Sequence, residues 1–439
     1  TINERMVPPM EIKEQSGLRQ VLAGTPLPKM CKVRQIFKRD GIEDVPAYLQ
    51  KKLDDPKLRA RIKPGMRVVL TGSSRQIANM SVILRKLAQF VKEQGAQPYI
   101  IPAMGSHGGA TDEGQRQILE SYGITEEFCG CPIFSSMETV RVGELPNGDE
   151  VRVDKFAHDA DAVIVVGRIK AHTAFRGPYE SGLIKMMAIG MGKRAGADSL
   201  HSAGFGEMGE RLPLYAKVVF DSCNIIFGVA PIENEFDQTC RIEVIPAEEI
   251  FDKEPDLLLY AKSRLPRLLI PETDVLVVRE IGKNFSGSGM DPNVTGTFGT
   301  PYASGGIQKQ RTVVLDISEE SHGSFIGLGM ADTTTKRAFE KLDTNATYFN
   351  MITSTVLKVG KIPMVLEDDK LALQAALKTL TQVNKDHIRM VYIKNTLSLE
   401  TIMVSEALLE QVRARDDMEI MEEPRELRFD ESGALLDFA

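Results

Sequence analysis

Residues 63–109 read KPGMRVVLTGSSRQIANMSVILRKLAQFVKEQGAQPYIIPAMGSHGG. The run RVVL ends in a Gly/Ser turn, the pattern of a buried strand. A helical pattern follows from Met80 to Gln94, with Val82, Ile83, Leu84, Leu87, Phe90 and Val91 apolar and Gly95 as its stop. AQPYIIPAMGSHGG is a second strand running into glycines, and another helix is expected from about Thr111 to Tyr122. Strand, loop, helix, strand, loop, helix is the order of an α/β fold with a parallel sheet.

The alternation continues along the chain. ADAVIVVGRIKAH (160–172) is a third strand with polar residues at its C-terminal end. RLPRLLIPE carries two prolines close together, and a fresh strand, TDVLVVREIG, follows it. A boundary near Pro271 is therefore expected. Beyond it, RTVVLDIS reads as strand, Thr333 to Leu342 as helix, KIPMVLED as strand or turn, Lys370 to Val383 as helix and IRMVYIKN as strand. The expectation is an α/β chain of two domains, each a largely parallel sheet flanked by helices. The first spans 1–270 and the second 271–414, with the tail 415–439 packed back on the first and the active site in the cleft between them.

Composition narrows the function classes. Of 439 residues, 42% are hydrophobic and 26% charged, enough apolar material for a sizeable core. The 54 basic and 61 acidic residues leave a net charge of −7 with no basic block, so there is no footprint for nucleic acid or an anionic membrane. Apolar runs such as Ala162 to Gly167 are too short to span a bilayer. TINERMVPPMEIKEQ has no apolar secretory core, and a soluble cytoplasmic protein is expected. Five cysteines, one pair of them as Cys129 and Cys131, suit neither a disulfide framework nor a four-cysteine zinc site.

Three loops follow strands: TGSSRQ, PAMGSHGG and GRIKAHTAFRG. Ligands of such sheets collect at the carboxyl ends of the strands. His107 and His172 sit in these loops, and histidine suits proton transfer near neutral pH. The plain alternative for each is a loop histidine bonded to backbone. Arg75 is positioned to meet an anion through its guanidinium fork, or is a surface arginine. Lys185, in ESGLIKMMAIGMGK, has an apolar setting in which a buried amine becomes nucleophilic; the alternative is a lysine snorkelling from a helix. Gly190-Met191-Gly192 is a partial dinucleotide pattern without a clean strand before it. His158 fits a capping role, His387 the surface, and His322 the interdomain cleft.

Taken together, TGSSRQ, PAMGSHGGATDEG, ADAVIVVGRIKAHTAF, ESGLIKMMAIGMGK and the later His201 resemble, in order and spacing, the nickel-dependent lactate racemase family. The resemblance implies an isomerase that racemises or epimerises 2-hydroxy acids, with small-molecule substrates. It implies a nickel-pincer nucleotide, a pyridinium mononucleotide joined covalently to Lys185, with His201 completing the nickel coordination. It implies His107 and His172 as the acid/base pair, one on each face of C2, and Arg75 as the group that holds substrate.

The chain departs from the family pattern in several places. GSHGG replaces a threonine-histidine-arginine-proline form, Gly72 stands where an aspartate is usual, the segment from His172 to Lys185 is slightly longer, and tryptophan is missing altogether. Gly108 and Gly109 should make room for a longer acid. The loop GKNFSGSGMDPNVTG offers Lys283, Asn284, Ser286, Asp291 and Asn293 to several hydroxyls, or is simple turn chemistry. The expectation is a sugar-acid 2-epimerase similar to gluconate 2-epimerases. A lactate or malate racemase, a non-catalytic nucleotide or sugar-acid binding module, and a nicotinamide-dependent dehydrogenase stand as alternatives.

Overall fold

The computed structural model describes residues 15–74 and 76–437. The chain forms two compact units, one of residues 38–266 with 300–303, the other of the residues up to 37, 267–299 and 304 onward.

The unit of residues 38–266 is built on a five-stranded sheet in the order Gln97–Pro102, Arg67–Gly72, Ala162–Val166, Ile225–Glu233 and Thr239–Pro246. The first four strands run parallel, and Thr239–Pro246 closes the edge antiparallel. Alternate residues serve opposite faces, as the two-residue period of a strand requires. Val69, Tyr99, Ile101, Val163 and Val165 pack on one side beneath the helices Met208–Ser222 and Ile250–Ser263. Val68, Leu70, Ile100, Ile164 and Val166 pack on the other beneath Val45–Leu53 and Met80–Glu93. Both faces are covered, so the strands read as nearly continuous apolar runs.

Strand order reverses beside Arg67–Gly72, because its successor Gln97–Pro102 lies on one side and Ala162–Val166 on the other. Such a switch point opens a crevice at the carboxyl ends of the strands. Thr71 joins the two strands there: its hydroxyl donates to the Val166 carbonyl at 3.0 Å and accepts the Val166 N–H at 2.8 Å. Gly72 is required by packing, since a Cβ would lie 2.8 Å from Leu119 of the helix Asp112–Ser121.

The other unit has an eight-stranded sheet in the order Met364–Leu366, Thr333–Thr335, Arg311–Ile317, Val275–Ile281, Met390–Ile393, Thr401–Ser405, Met30–Gln35 and Met418–Ile420. Its first five strands are parallel and its last three antiparallel. This corrects the expected division at both termini. Met30–Gln35 pairs with Thr401–Ser405, and Met418–Ile420 with Met30–Gln35, so the N-terminal strand and the tail belong with the second half. A strand is stabilised by its ladder partners, and here those partners lie hundreds of residues away.

Two further expectations are corrected. Thr333–Thr335 is a strand, as its β-branched run favours, and only Lys336–Glu340 is helical, capped by the Thr335 hydroxyl accepting the Ala338 N–H. The helix expected from Lys370 to Val383 ends at Lys378, where the Lys385 ammonium takes the Leu377 carbonyl at 2.7 Å and that of Leu380 at 3.0 Å. Among the described residues, no helix is long and apolar enough to cross a membrane.

Candidate active site

His107 lies in the loop after Gln97–Pro102. Gly105, Gly108 and Gly109 all have positive φ and turn the chain sharply around it. Gly108 is also pressed by its surroundings, since a Cβ would sit 2.6 Å from the Gly114 backbone, whereas a Cβ at Gly109 would meet nothing within 4 Å. Room near this histidine therefore comes from Gly109; the space at Gly108 is filled by the start of the next helix. The His107 side chain is exposed. Its loop is held from beneath by buried Gln115, whose amide donates to the carbonyls of Gly105 at 2.8 Å and His107 at 3.2 Å.

His172 follows Ala162–Val166. Buried Glu180 organises this loop: it accepts the His172 N–H at 2.7 Å and the Lys262 ammonium at 2.6 Å. The Nδ1 of His172 accepts the Ala174 N–H at 3.1 Å, which in the neutral ring assigns the proton to Nε2. The ring packs on Phe175 at 4.5 Å and on Phe205 at 5.9 Å between centroids.

Lys185 ends the short helix Leu183–Lys185, which passes directly into a π-helical turn, Met186–Gly190. Such turns widen a helix locally and recur at functional sites. Buried Glu254 lies at the head of this segment, with the Ile184 N–H donating to it at 3.0 Å and Gly182 packed against its carboxylate. Burial pushes its pKa up to about 7, against the pull of the Ile184 and Leu183 N–H groups.

His201 closes the helix Lys193–His201. Its Nδ1 lies 2.8 Å from the Ala197 carbonyl, so Nδ1 carries the proton and Nε2 is the lone-pair nitrogen. Burial lowers its pKa, and the nearby Lys185 charge lowers it further. Its ring meets Phe205 edge-on at 5.8 Å. His172 and His201 thus both pack on Phe205, with Lys185 in electrostatic reach of His201. The Thr300 hydroxyl donates to the Ala174 carbonyl, and Tyr302 lies against Gly206, both in this same unit.

The remaining expected residues fall elsewhere. Arg75 lies outside the described residues. Lys283 and Asn284 belong to the other unit. There the Lys283 N–H donates to the Ser321 hydroxyl at 3.0 Å, and the Asn284 amide oxygen accepts from the Ser318 hydroxyl at 2.7 Å. Asp291 accepts the Asn293 N–H at 2.9 Å, an Asx turn capping the helix Pro292–Thr295. His158 pairs with Asp159, while His322 and His387 are exposed. Burial pushes the thiols of Cys129 and Cys131 up to about 11 and about 12, which disfavours the thiolate a metal needs. Gly190 and Gly192 are packed against the Ala103 and Ala188 carbonyls, where a Cβ would lie 2.7 and 2.8 Å away. They close a π turn and do not open a helix after a strand, which speaks against a dinucleotide loop.

Among the described residues, no group of three or more His, Cys, Asp or Glu side chains is arranged to hold a metal ion. Among the described residues two imidazoles pack on Phe205: that of His201, whose Nε2 carries a lone pair, and that of His172, whose Nδ1 accepts the Ala174 N–H. A metal held there would take its other donors from a bound group or water, and a neutral imidazole Nε2 fits square-planar nickel with sulfur and carbon donors.

Residues 27–212 match the family model described as the lactate racemase N-terminal domain. The lactate racemase match takes in His107, His172, Lys185 and His201; Lys283 and Asn284 lie beyond it. It supports an isomerase of the racemase or epimerase kind. The lactate racemase apoprotein from Thermoanaerobacterium thermosaccharolyticum is a similar solved structure at 13% identity, over 84% of this chain and 99% of that one, with a TM-score of 0.46. No curated protein is significantly similar to the chain.

Proposed function

We propose that the chain is a 2-hydroxyacid racemase or epimerase that works with a nickel-pincer nucleotide on a sugar acid such as gluconate. The observation that carries this reading is the grouping of His172 and His201 on Phe205, with Lys185 beside His201. In this reading Lys185 carries the covalent link and His201 gives its Nε2 to nickel. When bound, the nucleotide supplies a two-electron acceptor for the hydrogen on C2.

The chain's own groups handle the rest of the reaction. His107 and His172 exchange the hydroxyl proton, one on each face of C2, as inversion requires. His172 presents Nε2–H as a donor while Ala174 occupies Nδ1, so the ring must release Ala174 before Nε2 takes a proton. Arg75 pairs with the substrate carboxylate. The free cysteines suit a cytoplasmic enzyme.

Protein produced together with the cofactor-synthesis enzymes should bind about one nickel per chain by the donor logic above and carry a mass addition at Lys185. Lys185→Ala should abolish the adduct, and His201→Ala should weaken nickel retention. Holo-protein should epimerise gluconate or a related aldonate far faster than lactate, read by NMR in deuterium oxide with hydrogen retained on C2. A clear preference for lactate overturns the substrate. Rapid deuterium entry at C2 overturns the hydride route. Normal nickel and activity in both variants overturns the cofactor assignment.

A further inference from the structure

Lys193 is fully buried and non-glycine, yet has φ +52. A side chain in that backbone region is strained and persists only where its surroundings hold it. Its ammonium lies 3.0 Å from buried Asp154, donates to the Pro102 carbonyl and reaches the Gln115 amide oxygen at 3.3 Å. The other end of that amide, the Nε2 of Gln115, holds the carbonyls of Gly105 and His107. Two backbone bonds reinforce the tie: Gly105 N–H to the Gly190 carbonyl at 3.2 Å, and Asp154 N–H to the Met191 carbonyl at 2.7 Å. Lys193 is also the first residue of the helix that ends in His201, and it follows the π turn that begins after Lys185.

We propose that the buried Lys193–Asp154–Gln115 network is the device that sets the His107 loop in register with the Lys185–His201 segment, making Gln115 and Lys193 positioning residues for His107. Lys193 holds the carbonyl that ends the strand and Gln115 the two carbonyls of the loop, and the loop's glycines supply little stiffness of their own. A buried ammonium is tolerated only when its carboxylate and acceptors are all in place, so the network holds one geometry. The catalytic meaning of this inference rests on the reading of His107 as an acid/base; the positioning itself does not.

The variant Gln115→Met keeps the side chain's length and leaves Lys193 paired with Asp154, so it tests the link with little risk to folding. In the full chain without cofactor, the ¹H–¹³C ring signals of the six histidines, assigned by single His→Gln changes, give the first readout. Gln115→Met should shift or broaden the His107 signal and leave those of His172 and His201 in place. An unchanged His107 signal overturns the proposal whatever the protein catalyses. In holo-protein, single-turnover oxidation of each C2 epimer to the 2-keto acid gives the second readout. Gln115→Met, and the charge-matched pair Lys193→Met with Asp154→Asn, should slow the His107-dependent epimer by about 10²-fold, as a misplacement of about 1 Å does. The other epimer should stay within a few-fold of the parent. Equal loss for both epimers, with the Lys185 adduct intact, overturns the positioning role and leaves the proposed function standing. A parent protein with no adduct overturns the proposed function, and the histidine spectra still decide the loop.

Discussion

His201 is kept neutral by its burial and by the Lys185 charge, against a smaller opposing pull from the Ala197 carbonyl. Below its ordinary value near 6.5, the unfolded chain binds a proton that the folded chain refuses. Stability from this residue is therefore complete above that value and falls as the pH drops below it. His201→Gln should flatten the acid limb of a denaturation-midpoint profile below about pH 6.5, and an unchanged limb would count against the buried neutral ring. For His107 and His172 the expectation is stereochemical. Each →Ala variant should lose on the order of 10²-fold or more of full turnover, yet oxidise one C2 epimer and not the other, with opposite preferences, in single-turnover assays. Loss of both epimers in both variants would contradict the two-base arrangement. His201 entered only through the family resemblance, while His107, His172 and Lys185 were legible as candidates because glycine-rich loops after strands and an apolar run around a lysine are local patterns. Gln115, Glu180 and Lys193 were not, because what distinguishes them is a bond to residues far along the chain, such as Lys193 to Pro102 and Glu180 to Lys262.

The Lys185 segment shows the same limit for an element. Its apolar glycine-rich sequence was readable as unusual, but the π turn arises from the Met191 N–H bonding to the Met186 carbonyl, and from Glu254 across the core at its head. Glu254 imposes its own pH dependence. Burial raises its pKa from 4.5 to about 7, so between those values the folded chain holds a proton the unfolded chain has lost. Stability from this residue is complete at low pH and declines as the pH rises through about 7, by on the order of 2–4 kcal/mol in all. Glu254→Gln should retain an oxygen for the Ile184 N–H and remove that slope, so that the variant gains on the parent between about pH 5 and about pH 8. Parallel profiles for the two proteins in urea melts would show that the carboxylate is not the titrating group. Elsewhere the strands with strong local runs, such as Arg67–Gly72 and Val275–Ile281, were legible, while the short Thr333–Thr335 was read as helix because three residues are too few to display a period.

At the scale of the whole chain, the two units change over between Pro266 and Arg267, in the proline-bearing stretch the sequence marks, but the membership of the two ends carries no such mark, since antiparallel pairing between residues near 30, 400 and 420 leaves no trace in any one segment. The tail makes this testable. Leu427 and Leu435 are buried in the core that holds Val275, Leu315 and Tyr392. The Leu435 N–H donates to Asp369 at 2.8 Å, and the Tyr392 hydroxyl donates to the Asp437 carbonyl at 2.8 Å. The buried Asp437 carboxylate is held by Arg425 and Arg428. Removing residues 425–439 exposes two leucines' worth of core and leaves the Tyr392 hydroxyl without that acceptor. The losses sum to on the order of 5 kcal/mol. Because every one of these contacts lies in the unit with the eight-stranded sheet, the truncated chain should lose amide-exchange protection in Met390–Ile393 and Val275–Ile281. It should keep that protection in Arg67–Gly72 and Ala162–Val166, along with the ring signals of His172 and His201. The opposite pattern, with protection lost around Arg67–Gly72 and retained around Tyr392, is what a tail packed on the 38–266 unit produces, and it would return the tail to the place its sequence alone suggested.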